Sequence, residues 1–270
     1  MQENLITSFS NEKIKFITKL KDKTFRDKNG QFFIEGYREI YRSLQHNNLE
    51  YRSIFISREC FLGKNEENLI NEFKKRKVPV YEMNRKLFEK ISYRDRPDGL
   101  ITVAKTPNNT YNFDNPPETS RVIIIEGVEK PGNLGTILRT AEGVGDCSVF
   151  VTDSKLDLFN PNIIRSSTGT IFTLPIYKCE LIKLLAYLKK YKYKIAALTP
   201  EANKYYFSEN LIGNIGFIFG SEQYGLTEDA KLHSDVNLSI PMNGSADSLN
   251  LAMSAGIILY ESLRQIASKS

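Results

Sequence analysis

The chain has 270 residues, of which 41% are hydrophobic and 26% charged, a composition typical of one large or two ordinary globular domains and not of a disordered chain. No stretch approaches the roughly 18–20 apolar residues that a membrane span requires, and the first residues lack the apolar core of a signal peptide. We therefore expect a cytoplasmic protein with no membrane partner. Three widely spaced cysteines and only two histidines argue against a disulfide framework and against a zinc site, so no metal is expected.

Charge divides the chain into two unlike halves. The net charge is +5 overall, but residues 1–105 carry 22 Lys and Arg against 15 Asp and Glu, whereas residues 106–270 carry 15 against 17. A basic half predicts contact with a polyanion, because phosphate contacts supply most sequence-independent affinity for nucleic acid. Lys-rich helices that only solvate a small domain are the alternative at this point. The basic segments are accompanied by aromatic residues that are candidates for base stacking: Phe16, Phe25, Tyr37, Tyr41 and Tyr93.

The first half alternates predicted helices and strands. The spacing of Ile14, Ile17 and Leu20 predicts a first helix. Further helices are predicted at 37–45, 66–77 and 85–91, and strands at 53–57, 78–81 and 100–104. The pattern predicts a small α/β domain over residues 1–105. Residues 106–120 read TPNNTYNFDNPPETS, and because two consecutive prolines cannot continue a helix or a central strand, this segment is predicted to be an interdomain linker.

Residues 121–270 repeat this alternation with stronger signals. The run VIIIE at 122–126 is typical of a strand buried on both faces. Further strands are predicted at 149–151, 195–198, 215–219 and 236–240, and helices at 133–144, 181–188 and 248–267, the last with Ser248 as its N-cap. Strands separated by helices predict an α/β domain with a mostly parallel sheet, in which ligands bind at the carboxyl ends of the strands.

The loop after the first of these strands reads EGVEKPGNLGTILRTA over residues 126–141. Gly127 and Gly132 have the spacing of a P-loop, but Asn133 and Leu134 stand where that motif requires Lys and Ser or Thr. The dinucleotide-binding pattern also fails, since its first close glycine pair is missing. Arg139 lies on the following helix, where an ordinary surface salt bridge is the alternative to a role in a site.

Two further strand ends carry unusual residues, GSEQYGL at 220–226 and IPMNGSADSLN at 240–250. Gly220 follows a strand directly, which removes a side chain where another group approaches the backbone. Glu222 either caps the next helix or holds a polar partner in a site. Asn250, expected inside an apolar helix, must find hydrogen-bond partners, because buried amides are satisfied in native proteins.

In combination, the three loops resemble the three motifs of the SpoU branch of the SPOUT RNA methyltransferases, over roughly residues 122–261. The residues that carry the resemblance are Asn133-x-Gly135-x-x-x-Arg139-x-Ala141, Gly220-x-Glu222-x-x-Gly225-Leu226, and Ile240-Pro241-Met242-x-Gly244-x-x-x-Ser248-Leu249-Asn250. The first half is similar, through residues 33–38 and 98–100, to the ribosomal-protein-like substrate-binding domain of that family.

The resemblance implies a deep trefoil knot in the domain at 121–270, a homodimer, and S-adenosyl-L-methionine as the cofactor of methyl transfer to a ribose 2′-hydroxyl. It assigns cofactor binding to Leu198, Thr199, Gly220, Ile240, Met242 and Leu249. It assigns the catalytic site to Arg139, Asn133, Glu222, Ser248 and Asn250. We expect Arg139 to orient a phosphate and to stabilise the developing alkoxide, because a guanidinium is a poor base at neutral pH.

Three alternatives remain open at the level of sequence. The first is a nucleotide-dependent α/β enzyme, which the failed P-loop and dinucleotide patterns disfavour. The second is a non-catalytic RNA-binding protein on a methyltransferase scaffold. The third concerns the substrate: 23S rRNA is expected because a basic domain precedes the catalytic one, whereas tRNA is the alternative.

Overall fold

The structure is a computed structural model that describes residues 4–45 and 49–269. Its α-helices, in chain order, are α1 (Glu12–Lys19), α2 (Lys23–Asn29), α3 (Tyr37–Gln45), α4 (Glu66–Lys75), α5 (Arg85–Ile91), α6 (Pro131–Val144), α7 (Pro161–Ser166), α8 (Leu181–Lys190), α9 (Glu228–Leu232) and α10 (Leu251–Ala267). Its strands are β1 (Asn4–Leu5), β2 (Gln31–Glu35), β3 (Tyr51–Ile56), β4 (Val80–Glu82), β5 (Leu100–Lys105), β6 (Arg121–Glu126), β7 (Cys147–Thr152), β8 (Ile176–Cys179), β9 (Lys194–Leu198), β10 (Ile215–Phe219) and β11 (Val236–Leu238). None of the helices in these residues combines the length and the apolar character that crossing a membrane demands.

The described residues form two compact units. The first contains the chain up to Asn108 together with Asp157–Thr173, and the second contains Asn109–Leu156 and the chain from Leu174 onward. The sequence-based division at 1–105, 106–120 and 121–270 therefore differs from the compact units in one main respect, because Asp157–Thr173 belongs to the first unit. The segment expected to be a linker packs largely with the second unit, where Tyr111 and Phe113 lie against the hydrophobic core.

The first unit contains a mixed five-stranded sheet with the order β1-β4-β3-β5-β2. Strand β5 runs antiparallel to both of its neighbours, whereas β3 and β1 pair with β4 in parallel. The sequence pattern did not predict strand β2, although four of its five residues are buried. The core on one face joins the predicted α1 stripe to residues of the sheet and of α5: Ile14, Ile17, Leu20, Phe33, Phe55, Leu87, Phe88 and Ile101.

The segment Asp157–Thr173 completes the first unit with a buried ion pair and aromatic contacts. Arg26 donates to Asp157 Oδ2 from Nε at 3.0 Å and from Nη2 at 2.5 Å, and the two side chains are only 4% and 12% exposed. The ring of Phe32 lies 4.5 Å from that of Phe159 and 6.1 Å from that of Phe172, measured between centroids. The first unit is therefore built from two stretches of sequence.

The second unit contains a six-stranded sheet, β11-β9-β10-β6-β7-β8, in which every pairing is parallel. This confirms the predicted α/β architecture with a parallel sheet. All six residues of β6 are buried, as expected for a central strand covered on both faces. One face packs on α8 through a cluster that includes Val122, Ile124, Leu184, Leu188 and Ile218. The alternate residues Ile123 and Ile125 are also fully buried and face the other side of the sheet.

The helix boundaries differ from the sequence prediction at two places that matter for the site. Helix α6 begins with Pro131 at its first turn, which suits a residue that has no amide hydrogen to leave unpaired. Helix α10 begins at Leu251, and its N-cap is Asn250, whose side chain accepts from the amides of Ala252 and Met253. The expectation that Ser248 caps this helix, with Asn250 inside it, is therefore wrong.

Candidate active site at the carboxyl edge of the parallel sheet

The segments that follow strands β9, β10 and β11 meet at one edge of the sheet in the second unit. Strands β11, β9 and β10 are adjacent and parallel, so their carboxyl ends lie side by side. Thr199, directly after β9, donates its amide to Leu238 O at 2.9 Å, which ties the end of β9 to the end of β11. The residues that follow the three strands therefore surround a common space.

The loop after β10 is closed and requires glycine at its first position. Ser221 and Gly225 exchange two backbone hydrogen bonds of 3.0 Å each, and the Tyr224 amide donates to Ser221 Oγ at 3.0 Å. A β-carbon at Gly220 would collide with the backbone of Gly225 and Leu226. Gly225 has a φ of +67°, a conformation in which glycine carries no steric cost. Gly220 and Gly225 therefore allow this loop to close tightly.

Glu126, at the end of β6, anchors the far side of the same loop. Its side chain is buried, and it accepts from the Thr227 amide at 3.0 Å and from Thr227 Oγ1 at 2.6 Å. Thr227 is in turn the N-cap of α9. From the sequence, Glu126 is recognisable only as the first residue of its loop, because its contact with Thr227 spans about a hundred residues of chain.

The loops enclose a cleft of about 640 Å³, within the range of small-molecule sites. All six residues assigned to cofactor binding line it: Leu198, Thr199, Gly220, Ile240, Met242 and Leu249. Three of the five residues assigned to catalysis line it as well: Glu222, Ser248 and Asn250. Residues that spread over more than fifty positions of sequence thus share one cleft.

Asn133 joins this set through Asn250. The amide nitrogen of Asn250 donates to Asn133 Oδ1 at 3.2 Å, so the N-cap of α10 also connects to the first turn of α6. The other end of the Asn133 amide, Nδ2, is buried and has no hydrogen-bond partner among the described residues. A buried donor without a partner costs free energy, about 1–3 kcal/mol, although Asn133 itself does not line the cleft.

Glu222 is held by a lysine that sequence analysis did not single out. Lys130 Nζ lies 3.0 Å from Glu222 Oε2, and the exposed fractions of the two side chains are 71% and 19%. Lys130 immediately precedes α6 and lines the same cleft. No pattern in the sequence pairs these two residues, because the contact depends on the loops of β6 and β10 lying together.

Arg139 does not line the cleft. It is exposed on α6 and forms no hydrogen bond or ion pair with the residues that the structure describes. The salt bridge considered as its alternative role is therefore not observed within that part of the chain, and its predicted catalytic role stays a prediction.

Two other kinds of chemistry find no support in this structure. Within residues 4–45 and 49–269, no group of three or more His, Cys, Asp or Glu side chains is arranged to hold a metal ion. Burial raises the pKa of the Cys147 thiol, and it raises that of Cys179 to about 12. Because the thiolate is the reactive form of cysteine, these two side chains are unsuited to nucleophilic catalysis.

Comparison with known proteins connects this geometry to a family. Residues 120–260 match the family model described as the SpoU rRNA Methylase family, and residues 11–102 match an MRM3-like substrate binding domain. A solved structure titled RNA 2′-O ribose methyltransferase is 34% identical and superposes with a TM-score of 0.85, covering 97% of this chain and 99% of its own. An AdoMet-bound rRNA methyltransferase from Sinorhizobium meliloti is 25% identical with a TM-score of 0.87, covering 98% and 99%. The 23S rRNA (guanosine(2553)-2′-O)-methyltransferase RlmP of Bacillus subtilis is 28% identical over 94% of this chain and 97% of its own length.

The parallel sheet, the cleft at its carboxyl edge and the preceding basic unit define a two-domain α/β protein of the SPOUT class. The match over residues 120–260 is more specific, and the chain belongs to the SpoU rRNA methylase family.

Proposed function

We propose that this protein methylates a ribose 2′-hydroxyl in RNA, most specifically in 23S rRNA, with S-adenosylmethionine as the methyl donor. The observation that carries the proposal is the single cleft that collects the six residues assigned to the cofactor together with Glu222, Ser248 and Asn250. The names of the relatives support the same activity, and a tRNA substrate is the alternative.

The chemistry of the cleft suits S-adenosylmethionine. The lining of the cleft combines apolar side chains with backbone groups. The amides of Ile240, Met242 and Leu249 donate no hydrogen bond within the described residues. Such amides match the acceptor nitrogens of an adenine ring, while Leu198 and Leu249 offer apolar surface to its faces. The lining carries three carboxylates against two lysines, and this small acidic excess suits a ligand that carries positive charge.

We assign the placement of the ribose to four residues: Asn133, Glu222, Ser248 and Asn250. The unpartnered Nδ2 of Asn133 supplies a donor for a ribose oxygen, and Asn250 fixes the orientation of that amide by bonding its other end. The Glu222 carboxylate accepts from a hydroxyl group. The methyl donor is a sulfonium that needs no metal, so the residues of the chain have to align the 2′-oxygen and remove its proton, and alignment alone supplies much of the rate enhancement.

For Arg139 we propose the orientation of a substrate phosphate and stabilisation of the developing alkoxide. A guanidinium stays protonated at neutral pH and binds phosphate through two parallel hydrogen bonds. Its exposure and its lack of a protein partner among the described residues leave it available to RNA or to a second copy of the chain. Arg139→Lys keeps the charge but loses the two-bond geometry, so near-normal turnover of this variant would contradict the assignment.

We further propose a homodimer formed through α10. Met253 and Tyr260 lie seven residues apart on this helix, and they are 61% and 53% exposed, so both project from one face. The hydroxyl of Tyr260 also approaches Gly143 of α6, which places the face beside the helix that carries Arg139. Met253→Asp is expected to shift the mass measured by light scattering from dimer to monomer.

We also propose that the loops after β10 and β11 are threaded as a trefoil knot. The spatial order β11-β9-β10-β6 is not the order of the sequence, and the loops that line the cleft are the ones that would have to be threaded. We place the protein in the cytoplasm, where rRNA is available.

The first unit is proposed to bind the RNA. Its exposed cations Lys13, Lys19 and Arg38 provide phosphate contacts. Tyr37 and Tyr41 stack on each other on α3 with ring centroids 6.0 Å apart, and Tyr41 is 48% exposed, which offers a surface for an unpaired base.

The test is methyl transfer from tritiated S-adenosylmethionine to 23S rRNA and to tRNA, followed by mapping of 2′-O-methyl positions. Incorporation into 23S rRNA at one ribose supports the proposal, and incorporation only into tRNA supports the alternative substrate. Calorimetric binding of ATP or NAD in place of S-adenosylmethionine would instead favour a nucleotide-dependent enzyme. RNA binding without transfer would indicate a non-catalytic protein.

A further inference from the structure

Two exposed side chains line the cleft beside the residues assigned to the ribose. Lys130 is 71% exposed and Tyr224 is 76% exposed, and both line the cleft. The ring of Tyr224 contacts no other aromatic ring or cation among the described residues, and only its backbone amide is hydrogen-bonded. The fold of the second unit therefore gains little from either side chain.

Both residues adjoin Glu222, to which ribose placement is assigned. Lys130 Nζ lies 3.0 Å from the Glu222 carboxylate, and Tyr224 follows two residues later in the same closed loop. In a nucleotide, the 2′-carbon is bonded to the carbon that carries the base and to the carbon that carries the 3′-phosphate. A site that holds the 2′-hydroxyl beside Glu222 must accept a base and a phosphate within a few ångströms of it.

Lys130 is the better suited of the two lysines that line the cleft. Lys231 is 20% exposed and is held by two carboxylates, Glu201 at 2.9 Å and Glu228 at 3.1 Å. Lys130 has Glu222 as its ion-pair partner, and its side chain is largely in solvent. An arriving phosphate therefore competes with the Glu222 carboxylate for Lys130. This ion pair is partly exposed, and exposed pairs are weak, about 0–1 kcal/mol.

The backbone of Tyr224 is held in position before any ligand arrives. Its loop is closed by the two backbone hydrogen bonds between Ser221 and Gly225, and its own amide is bonded to Ser221 Oγ. A closed backbone reduces the conformational entropy that the loop loses when a base stacks on the ring. Stacking on an aromatic ring tolerates every base, since each base has a π-face.

We propose that Lys130 and Tyr224 form a clamp for the target nucleotide at the mouth of the cleft. Lys130 binds the phosphate next to the ribose that is methylated, and Tyr224 stacks on the base of that nucleotide after it leaves its helix or loop. The inference rests on the proposed function, and it assigns to these two residues the binding of RNA and not of the methyl donor.

The experiment compares Tyr224→Ala, Tyr224→Phe, Lys130→Gln and Lys130→Arg in the full chain. Each variant is measured for the Kd of S-adenosylmethionine by calorimetry, and for the KM of the RNA and kcat in methyl transfer at several salt concentrations. Lys189→Gln is the matched control, because it removes a cation on α8 that is 42% exposed and does not line the cleft.

Tyr224→Ala is expected to raise the KM of the RNA about tenfold, in line with the stacking of one base, while Tyr224→Phe stays within about twofold. Lys130→Gln is expected to raise that KM and to flatten its dependence on salt by about one phosphate contact, and Lys130→Arg is expected to retain both. The Kd of S-adenosylmethionine is expected to stay unchanged throughout.

The clamp is refuted if Tyr224→Ala and Lys130→Gln match Lys189→Gln in the KM of the RNA, or if both change the Kd of S-adenosylmethionine by the same factor as that KM. A wild-type chain that transfers no methyl group to RNA refutes the proposed function and the clamp together. Active wild-type enzyme with unaffected variants refutes the clamp alone.

Discussion

The ion pair between Arg26 and Asp157 offers a sharp test of how the first unit is held together. The two side chains are 4% and 12% exposed, and the guanidinium also donates to Leu20 O at 2.7 Å and to Lys21 O at 2.9 Å. Asp157→Asn keeps the shape of the side chain and an oxygen for the Phe159 amide, which Oδ1 accepts at 3.0 Å. It replaces Oδ2, which accepts both bonds from Arg26, by an amide nitrogen that only donates, so the charge and the acceptor that face Arg26 are both lost.

Removing one partner of a buried pair costs about 3–5 kcal/mol, because the other charge stays buried without compensation. The two carbonyl acceptors remain, so we expect the lower end, about 3 kcal/mol. A domain of this size has a total stability of about 5–15 kcal/mol, and the change corresponds to a fall in melting temperature of about 10 °C.

The assay is urea unfolding followed by circular dichroism, supported by scanning calorimetry to separate the transitions of the two units. The control is Lys23→Ala, which breaks an exposed pair with Asp27 on α2 and is expected to cost less than about 1 kcal/mol. A loss in Asp157→Asn no larger than that of the control would refute the reasoning. The double variant with Arg26→Met is expected to recover part of the loss, since no buried charge then remains.

Three further predictions concern the second unit. Gly220→Ala is expected to abolish calorimetric binding of S-adenosylmethionine, because its β-carbon collides with the backbone of Gly225; binding at the wild-type Kd would show that this loop does not shape the cleft. Glu126→Gln is expected to lower the melting temperature and raise the Kd of S-adenosylmethionine, since only one of its two bonds to Thr227 keeps an acceptor. The pKa of Glu209 is lowered to about 2 by hydrogen bonds to two lysines, so its stabilisation is present above about pH 5 and is lost as the pH falls towards 2; Glu209→Gln is expected to flatten the pH dependence of unfolding in that window, and an unchanged slope would contradict it.

The parallel sheet was predictable because its central strands are continuous apolar runs. Residues 122–126 and 215–219 satisfy that pattern and are fully buried as β6 and β10. Strand β8 was not predicted, because it is a four-residue edge strand with three half-buried residues, and such a segment has no strong apolar signal.

The start of α10 shows why helix ends are harder to predict. Ser248 and Asn250 are both favourable N-cap residues, and Leu249 between them fits the apolar pattern of a helix. Asn250 is the N-cap in the structure, and its side-chain amide also donates to Asn133. This contact with α6 cannot be read from the local sequence. Asn250, which was expected to be buried inside the helix, is therefore exposed at the beginning of that helix.

The candidate site was predictable to the extent that it lies in strand-end loops. The three loops were identified from glycines and polar residues after buried strands, and the cleft brings nine of the eleven assigned residues together. Lys130 and Glu126 were missed because their partners, Glu222 and Thr227, are about a hundred residues away. The catalytic roles themselves stay predictions.

The discontinuity of the first unit has a consequence for biosynthesis. A nascent polypeptide leaves the ribosome amino end first, and this unit lacks the counter-ion of Arg26 and the rings that cover Phe32 until Asp157–Thr173 has been made. The 65 residues from Asn108 to Thr173 take about 3–13 s to synthesise at 5–20 residues per second. Strands β6 and β7 of the second unit are synthesised during this interval, so the amino-terminal unit completes its fold only after part of the second unit has been made.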